Sequence, residues 1–178
     1  MQVNGIYTRC CYIFYAVFVD FSLVLCYPFY VMFNEFMSIA IEEANVALKK
    51  SEVPVGAVIV KDGKVIAKAH NLRESAKNPL AHAEIIAINE ACKVLGDWRL
   101  SGCDMYVTLE PCPMCTGAIL QSRLQSIYFG AFSKDNGCMG TVANLPAILK
   151  NSSITTYGGI MEDECSALIS SFFEKHNK

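Results

Sequence analysis

YVTLEPCPMCTGAIL, residues 106–120, joins a strand to a helix through two cysteines. The aromatic and β-branched run ending at Leu109 predicts a buried strand over Met105–Leu109. Pro113 is acceptable in a helix's first turn, and a helix is expected over Pro113–Arg123. Cys112 and Cys115 then stand about one turn apart at the start of that helix. Both sulfurs can face one ion there, and the positive helix end favours thiolates.

A second short segment, AHAEI (81–85), supplies His82 and Glu84. One His and two Cys make three ligands for a tetrahedral zinc, with the fourth position left for water, as in catalytic rather than structural sites. Zinc lowers the pKa of bound water towards 7. Glu84, two residues from the ligand His82, is placed to move protons to and from that water and must stay off the metal. At the start of a helix the backbone is not yet fully helical, so an i, i+2 pair can converge. Each piece has a plainer reading. A lone His at a helix start is often a cap, a lone Glu is usually solvated, and C-x-x-C can be a redox pair or half a structural zinc site. A structural site needs a fourth protein ligand. His70 and His176 are isolated and no second C-x-x-C occurs, so the joint pattern favours a catalytic zinc.

Outward from these segments, helical spacing of Phe33, Phe36, Met37, Ala40, Ala44, Ala47 and Leu48 predicts an amphipathic helix over Phe33–Lys50. Val55–Val60 reads as a buried strand, Asp62-Gly63 as a hairpin turn and Lys64–Ala69 as its partner. A polar loop, Asn71–Pro79, leads to a helix over His82–Leu95 closed by Gly96. Ser126–Phe129 is a strand ended by Gly130, Phe132–Gly140 a turn-rich loop and Ile154–Tyr157 a last strand. Glu162–Lys175 closes the chain as a helix with Cys165, Leu168, Ile169, Phe172 and Phe173 on its apolar side. Phe172 and Phe173 are adjacent and cannot both face the core. Strands alternating with helices make an α/β layered domain.

The 178 residues suffice for one domain with a sizeable core. A formal net charge of −2 argues against a nucleic-acid binder that works by bulk charge, so any RNA contact needs a local basic patch or a pocket. Nine cysteines is an odd, scattered set, and only Cys112 and Cys115 have ligand spacing, which points to a reducing cytosol. Residues 6–33 are almost wholly apolar, interrupted mainly by Arg9, Asp20 and Pro28. The stretch is long enough to span a bilayer, yet a charge such as Asp20 near its middle costs about 3 kcal/mol. A signal peptide lacks an A-x-A-like site here. Translation from Met32, directly before a good helix, is the favoured reading. Residues 1–31 are accordingly expected to lie outside a domain formed by 32–178.

Beyond the two motif segments the chain resembles bacterial tRNA-specific adenosine deaminases of the cytidine/deoxycytidylate deaminase superfamily. The resemblance covers about residues 34–175. It rests on EVPVGAVIV (52–60), Asn71, NPLAHAEI (78–85), residues 106–120, IYFGA (127–131) and DECSALISSFF (163–173). H-x-E with P-C-x-x-C alone marks the wider superfamily; the flanks narrow it. The resemblance implies a three-layer α/β fold with a central mixed five-stranded sheet flanked by helices. It implies one zinc per subunit on His82, Cys112 and Cys115, with Glu84 catalytic. The implied reaction is hydrolytic deamination of adenosine to inosine at the wobble position, by a cytoplasmic homodimer with no stable membrane partner. One flipped-out base of the tRNA anticodon loop would enter the pocket. Asn71 would hydrogen-bond the nucleotide, Val55 and Leu109 would form walls, and backbone near Ala83 and Cys112 would support developing negative charge. One departure stands out: after FGA, relatives often carry a basic residue and then Asp, where this chain has Phe132 and Ser133. A guanine or other free-base or nucleotide deaminase is the competing reading, separated by how its pocket is closed. A non-enzymatic zinc module is disfavoured because it has no use for Glu84.

Overall fold

Side-chain alternation along three central strands sorts the core into two layers. The computed structural model describes residues 23–149 and 154–176, with side chains from residue 34 onward. Helix α1 (Leu23–Lys49) precedes the hairpin of β1 (Gly56–Lys61) and β2 (Lys64–His70), then α2 (Ala83–Leu95), β3 (Cys103–Leu109) and α3 (Pro113–Gln121). Strand β4 (Ser126–Ala131), the one-turn α4 (Leu145–Ile148), β5 (Thr155–Gly158) and α5 (Glu162–His176) complete the chain. The sheet order is β2-β1-β3-β4-β5; β1 is antiparallel to β2 and β3, and β3, β4 and β5 run parallel. This is the expected mixed five-stranded α/β architecture.

On one face Ala57, Ile59, Met105, Val107, Ile127 and Phe129 pack against Ala83, Ala87, Ile88 and Ala91 of α2 and Ile119 of α3. Their neighbours in sequence, Val58, Val60, Tyr106 and Tyr128, point the other way, onto Phe36, Met37 and Ala40 of α1 and Cys165 of α5. The period of two is that of a strand buried on both faces. Tyr106 stacks on Tyr128 at 4.6 Å and Tyr128 on Tyr157 at 4.8 Å, tying β3, β4 and β5 together. Asp62 and Gly63 both have positive φ, 49° and 71°, the left-handed pair that a two-residue hairpin favours and that Asp-Gly supplies.

Several boundaries differ from the sequence reading for identifiable reasons. Gly130 does not end β4, which runs to Ala131. A Cβ at Gly130 would overlap the Cys165 sulfur, so this glycine serves a close approach of α5 rather than a turn. Helix α1 starts at Leu23, ten residues before Phe33, and passes through Pro28; the fixed φ of proline is compatible with a helix at the cost of one hydrogen bond. The unforeseen α4 is capped by the Asn144 side chain, which accepts from the Ala147 amide at 3.0 Å, with Pro146 in its first turn. Phe172 is buried, whereas Phe173 is 46% exposed and leaves the apolar side of α5. The chain divides into two compact units between Met32 and Phe33; readings that fall on residues 1–22 lie outside the described residues. No described helix is long and apolar enough to cross a membrane.

Helix α1 crosses β1 at Gly56, where a Cβ would overlap the Ala40 carbonyl oxygen and the Ala44 nitrogen. Both are backbone atoms and cannot swing aside. Gly56→Ala is expected to cost about 2–3 kcal/mol and to lower the melting temperature by about 5–10 °C. An unchanged thermal melt would show that α1 does not press on the strand here.

Candidate active site

Two helices begin at the same place. His82 is the N-cap of α2, with φ −77° and ψ 150°, and Cys112 is the N-cap of α3, with φ −71° and ψ 172°. Neither side chain caps its own helix, so both remain free for another partner. Strand β3 ends at Leu109 and runs through Glu110 and Pro111 into Cys112, which puts the site at the carboxyl end of a central strand. Cys115, one turn into α3, is fully buried. The His82 Nδ1 lies 3.4 Å from the Cys115 sulfur and 3.8 Å from the Cys112 sulfur. The three donor atoms all fall within 4.8 Å of one another. Residues 30 and 33 positions apart thus converge as the two motif segments foretold.

The donor set fits zinc on its own chemistry. The hydrogen bond with Cys115, aided by that with His82, pulls the Cys112 thiol down to about 4. Contact with Cys112, together with burial, pushes the Cys115 thiol up. Adjacent sulfurs in a buried site share a proton because two bare thiolates repel. His82 is raised by its hydrogen bond to Cys112, so protons held on His82 and Cys115 offset the Cys112 thiolate where a dication would otherwise do so. One imidazole nitrogen and two sulfurs are ligands that zinc takes, and binding releases those protons.

Glu84, in the first turn of α2, is 4% exposed. Burial raises its carboxyl pKa, against hydrogen bonds from its own amide and from Cys115. A carboxyl held above its ordinary range suits a group that must both take and give a proton near neutral pH. The site opens into a pocket of about 190 Å³. His82, Glu84 and Cys112 line it together with Val55, Leu109 and Asn71, so three residues expected as walls and contacts are there. Its size is below the roughly 300–1,000 Å³ of drug-sized pockets, which suits a single base. Ala83 does not line the pocket. It is the first residue of α2 with a fully buried methyl group, and what it can offer is a backbone N–H without an intrahelical acceptor.

The pocket also contains Val53, Arg73, Glu110, Ser133 and Asn136, none of which the sequence reading assigned to it. Arg73 and Asn136 are exposed at the rim. Glu110, 2% exposed, accepts from the amides of Ser133 at 3.2 Å, Met139 at 3.0 Å and Thr141 at 3.1 Å. It folds the loop after β4 over the site, and a Cβ at Gly137 would overlap its carboxylate. Phe132 sets its ring edge-on to Phe129 at 5.2 Å and is 41% exposed.

Three metal donors with no fourth in their cluster among the described residues, below an open pocket, are the arrangement of a catalytic rather than a structural zinc site. Residues 32–131 match the zinc-binding region of cytidine and deoxycytidylate deaminases, and the chain belongs to that family. It is 49% identical over 144 residues to the tRNA-specific adenosine deaminase of Bacillus subtilis, covering 80% of this chain and 89% of that one. A solved structure from work on A-to-I editing by tRNA:A34 deaminases at the wobble position is 39% identical. It superposes with a TM-score of 0.73 over 75% of this chain and 98% of that chain. A guanine deaminase of Bacillus subtilis is 32% identical, with a TM-score of 0.55, over 81% of this chain and 93% of that chain.

The protein is expected to bind one zinc per chain, and His82→Ala, Cys112→Ser and Cys115→Ser each to lose it, read by metal analysis of the purified protein. Because the ligands must give up protons, zinc affinity should fall as pH falls, and binding should release protons in a weakly buffered titration. Full zinc content in any one of the three variants would remove that residue from the ligand set.

Proposed function

We propose that this chain is a tRNA adenosine deaminase that converts the wobble adenosine of an anticodon to inosine. The observation that carries the reading is the likeness to tRNA-specific adenosine deaminases, which extends far beyond the two zinc segments to most of the domain. The pocket agrees with it: about 190 Å³ above the metal ligands, with rim residues Arg73 and Asn136 in solvent, admits one extruded base while the rest of an RNA stays outside. A base presented on a loop gathers binding from its flanking nucleotides, which a chain of net charge −2 does through local contacts rather than bulk attraction.

The reaction adds water at C6 of adenine and expels ammonia, leaving a carbonyl. His82, Cys112 and Cys115 would hold a zinc ion, whose Lewis acidity would supply a water-derived nucleophile near neutral pH. Glu84 takes one proton from the water and delivers it to the ring nitrogen, then takes the second from the added hydroxyl as the carbonyl forms and delivers it to the departing amine. Val55 and Leu109 confine the base, Asn71 hydrogen-bonds it, and the Ala83 amide supports negative charge at the reacting carbon's oxygen. By the same resemblance the enzyme works as a homodimer in the cytoplasm, with residues 32–178 forming the deaminase domain.

An anticodon stem-loop carrying wobble adenosine should yield inosine, while free adenosine and guanine turn over poorly; efficient turnover of free guanine would instead favour the guanine-deaminase reading. Glu84→Ala should abolish inosine formation, by at least about 10³-fold, while zinc remains bound. Loss of zinc together with activity would show that Glu84 holds the metal site rather than moving protons. A chain shortened to residues 32–178 should deaminate the stem-loop at the full-length rate, and a tenfold drop would place the preceding residues inside the working enzyme.

A further inference from the structure

Glu52 is a fully buried carboxylate that is neither a metal neighbour nor part of the pocket lining. It sits in the turn between α1 and β1, where its own amide donates to the Ala47 carbonyl at 3.0 Å, so its backbone is fixed to the end of a packed helix. Its side chain is saturated. Oε1 accepts from the Ser75 amide and the Ser75 hydroxyl, both at 2.6 Å; Oε2 accepts from the Glu74 amide at 3.0 Å and from Asn71 Nδ2 at 3.3 Å. Four donors match the roughly four lone-pair positions of an ionised carboxylate. All four come from one segment, the loop that leads from β2 to His82, and residues 73–80 of it are exposed.

That segment supplies one side of the pocket through Asn71 and Arg73. Asn71 is 5% exposed and could in principle present either end of its amide to a ligand. A carboxylate accepts and never donates, so only the nitrogen end of Asn71 can face Glu52. The amide is thereby fixed against flipping. The exposed loop has little packing of its own, and the same carboxylate holds its backbone at two successive amides.

We propose that Glu52 is a positioning residue for the deamination: its carboxylate locks the orientation of the Asn71 amide and the course of the 73–75 loop, and so shapes one wall of the base pocket. The inference rests on the reading of Asn71 as a base contact. Glu52→Gln is the informative substitution. It keeps the shape but introduces an amide that can turn either end towards Asn71, and it offers an NH₂ to groups that are themselves donors.

The test uses the zinc-loaded full chain and a wobble-adenosine stem-loop. Glu52→Gln should retain one zinc and lose on the order of 10²-fold in kcat/KM, with much of the loss in kcat, as for a misplaced contact at the reacting group. In the Asn71→Ala background the same substitution should cost about tenfold or less, because its effect runs through Asn71. Ser75→Ala, at an exposed loop position, removes one of the four donors without disturbing the core and should show a smaller loss with the same non-additivity. Equal losses with and without Asn71 would overturn the proposal. A second readout needs no activity: in ¹⁵N spectra the Asn71 side-chain amide and the Glu74 and Ser75 backbone amides should exchange faster with solvent in Glu52→Gln. Unchanged exchange at Asn71 would equally overturn it. A parent enzyme that leaves the stem-loop untouched would defeat the deaminase reading, and the exchange measurement would still decide the role of Glu52.

Discussion

Two sulfurs and an imidazole brought within 4.8 Å, with Cys115 buried and His82 and Cys112 half-buried, are costly unless a dication neutralises them, and the packing of α2 and α3 brings them together. Both ligand-bearing segments are helix N-caps, and neither ligand spends its side chain on capping. The positive ends of α2 and α3 therefore meet at one point, which favours thiolate on α3. That meeting requires both helices to lie on the same face of the sheet. The shared core of Ala83, Ala87, Ile119, Ile59 and Met105 holds them there.

The pocket walls depend on a different device. The loop after β2 and the loop after β4 are largely polar and contribute few side chains to the core. Each is gathered instead around a buried carboxylate: Glu52 holds Asn71, Glu74 and Ser75, and Glu110 holds Ser133, Met139 and Thr141. Burying a carboxylate is tolerated where several donors replace its water. At Glu52 burial pushes the pKa up, but the bonds from Ser75 and Glu74 prevail and hold it below the ordinary carboxylate value. A wall built this way is ordered while keeping its outer surface polar, which suits a site that must admit a base still attached to a larger molecule.

Charge places a further limit on how such a molecule is recognised. At net −2 the chain has no overall attraction for a polyanion. Arg73, exposed at the rim and attached to the Glu52-held loop, supplies a cation where the pocket opens. The loop after β4 contributes the polar Ser133 and Asn136 to the pocket, with Phe132 and Lys134 exposed beside them.

The metal trio, the non-ligand acid, the hairpin and the α/β alternation were legible in the sequence because each is written in short-range spacing. C-x-x-C spans one helical turn, H-x-E sits at a helix start, Asp-Gly demands positive φ, and apolar period distinguishes strand from helix. The same sequence could not show that Gly130 lies inside a strand, since the reason is the Cys165 sulfur of a helix more than thirty residues away. Nor could it show Glu52 and Glu110 as the anchors of the pocket walls, or Arg73 and Asn136 as its rim. A buried carboxylate and an exposed one are the same letter, and only the packing of distant elements settles which donors surround it. What the chain determined by itself was local: the ligands, their spacing and the elements that carry them. The tertiary structure decided which of those elements meet and what encloses the space between them, because burial and long-range hydrogen bonding are properties of the assembled core and leave no periodic trace along the chain.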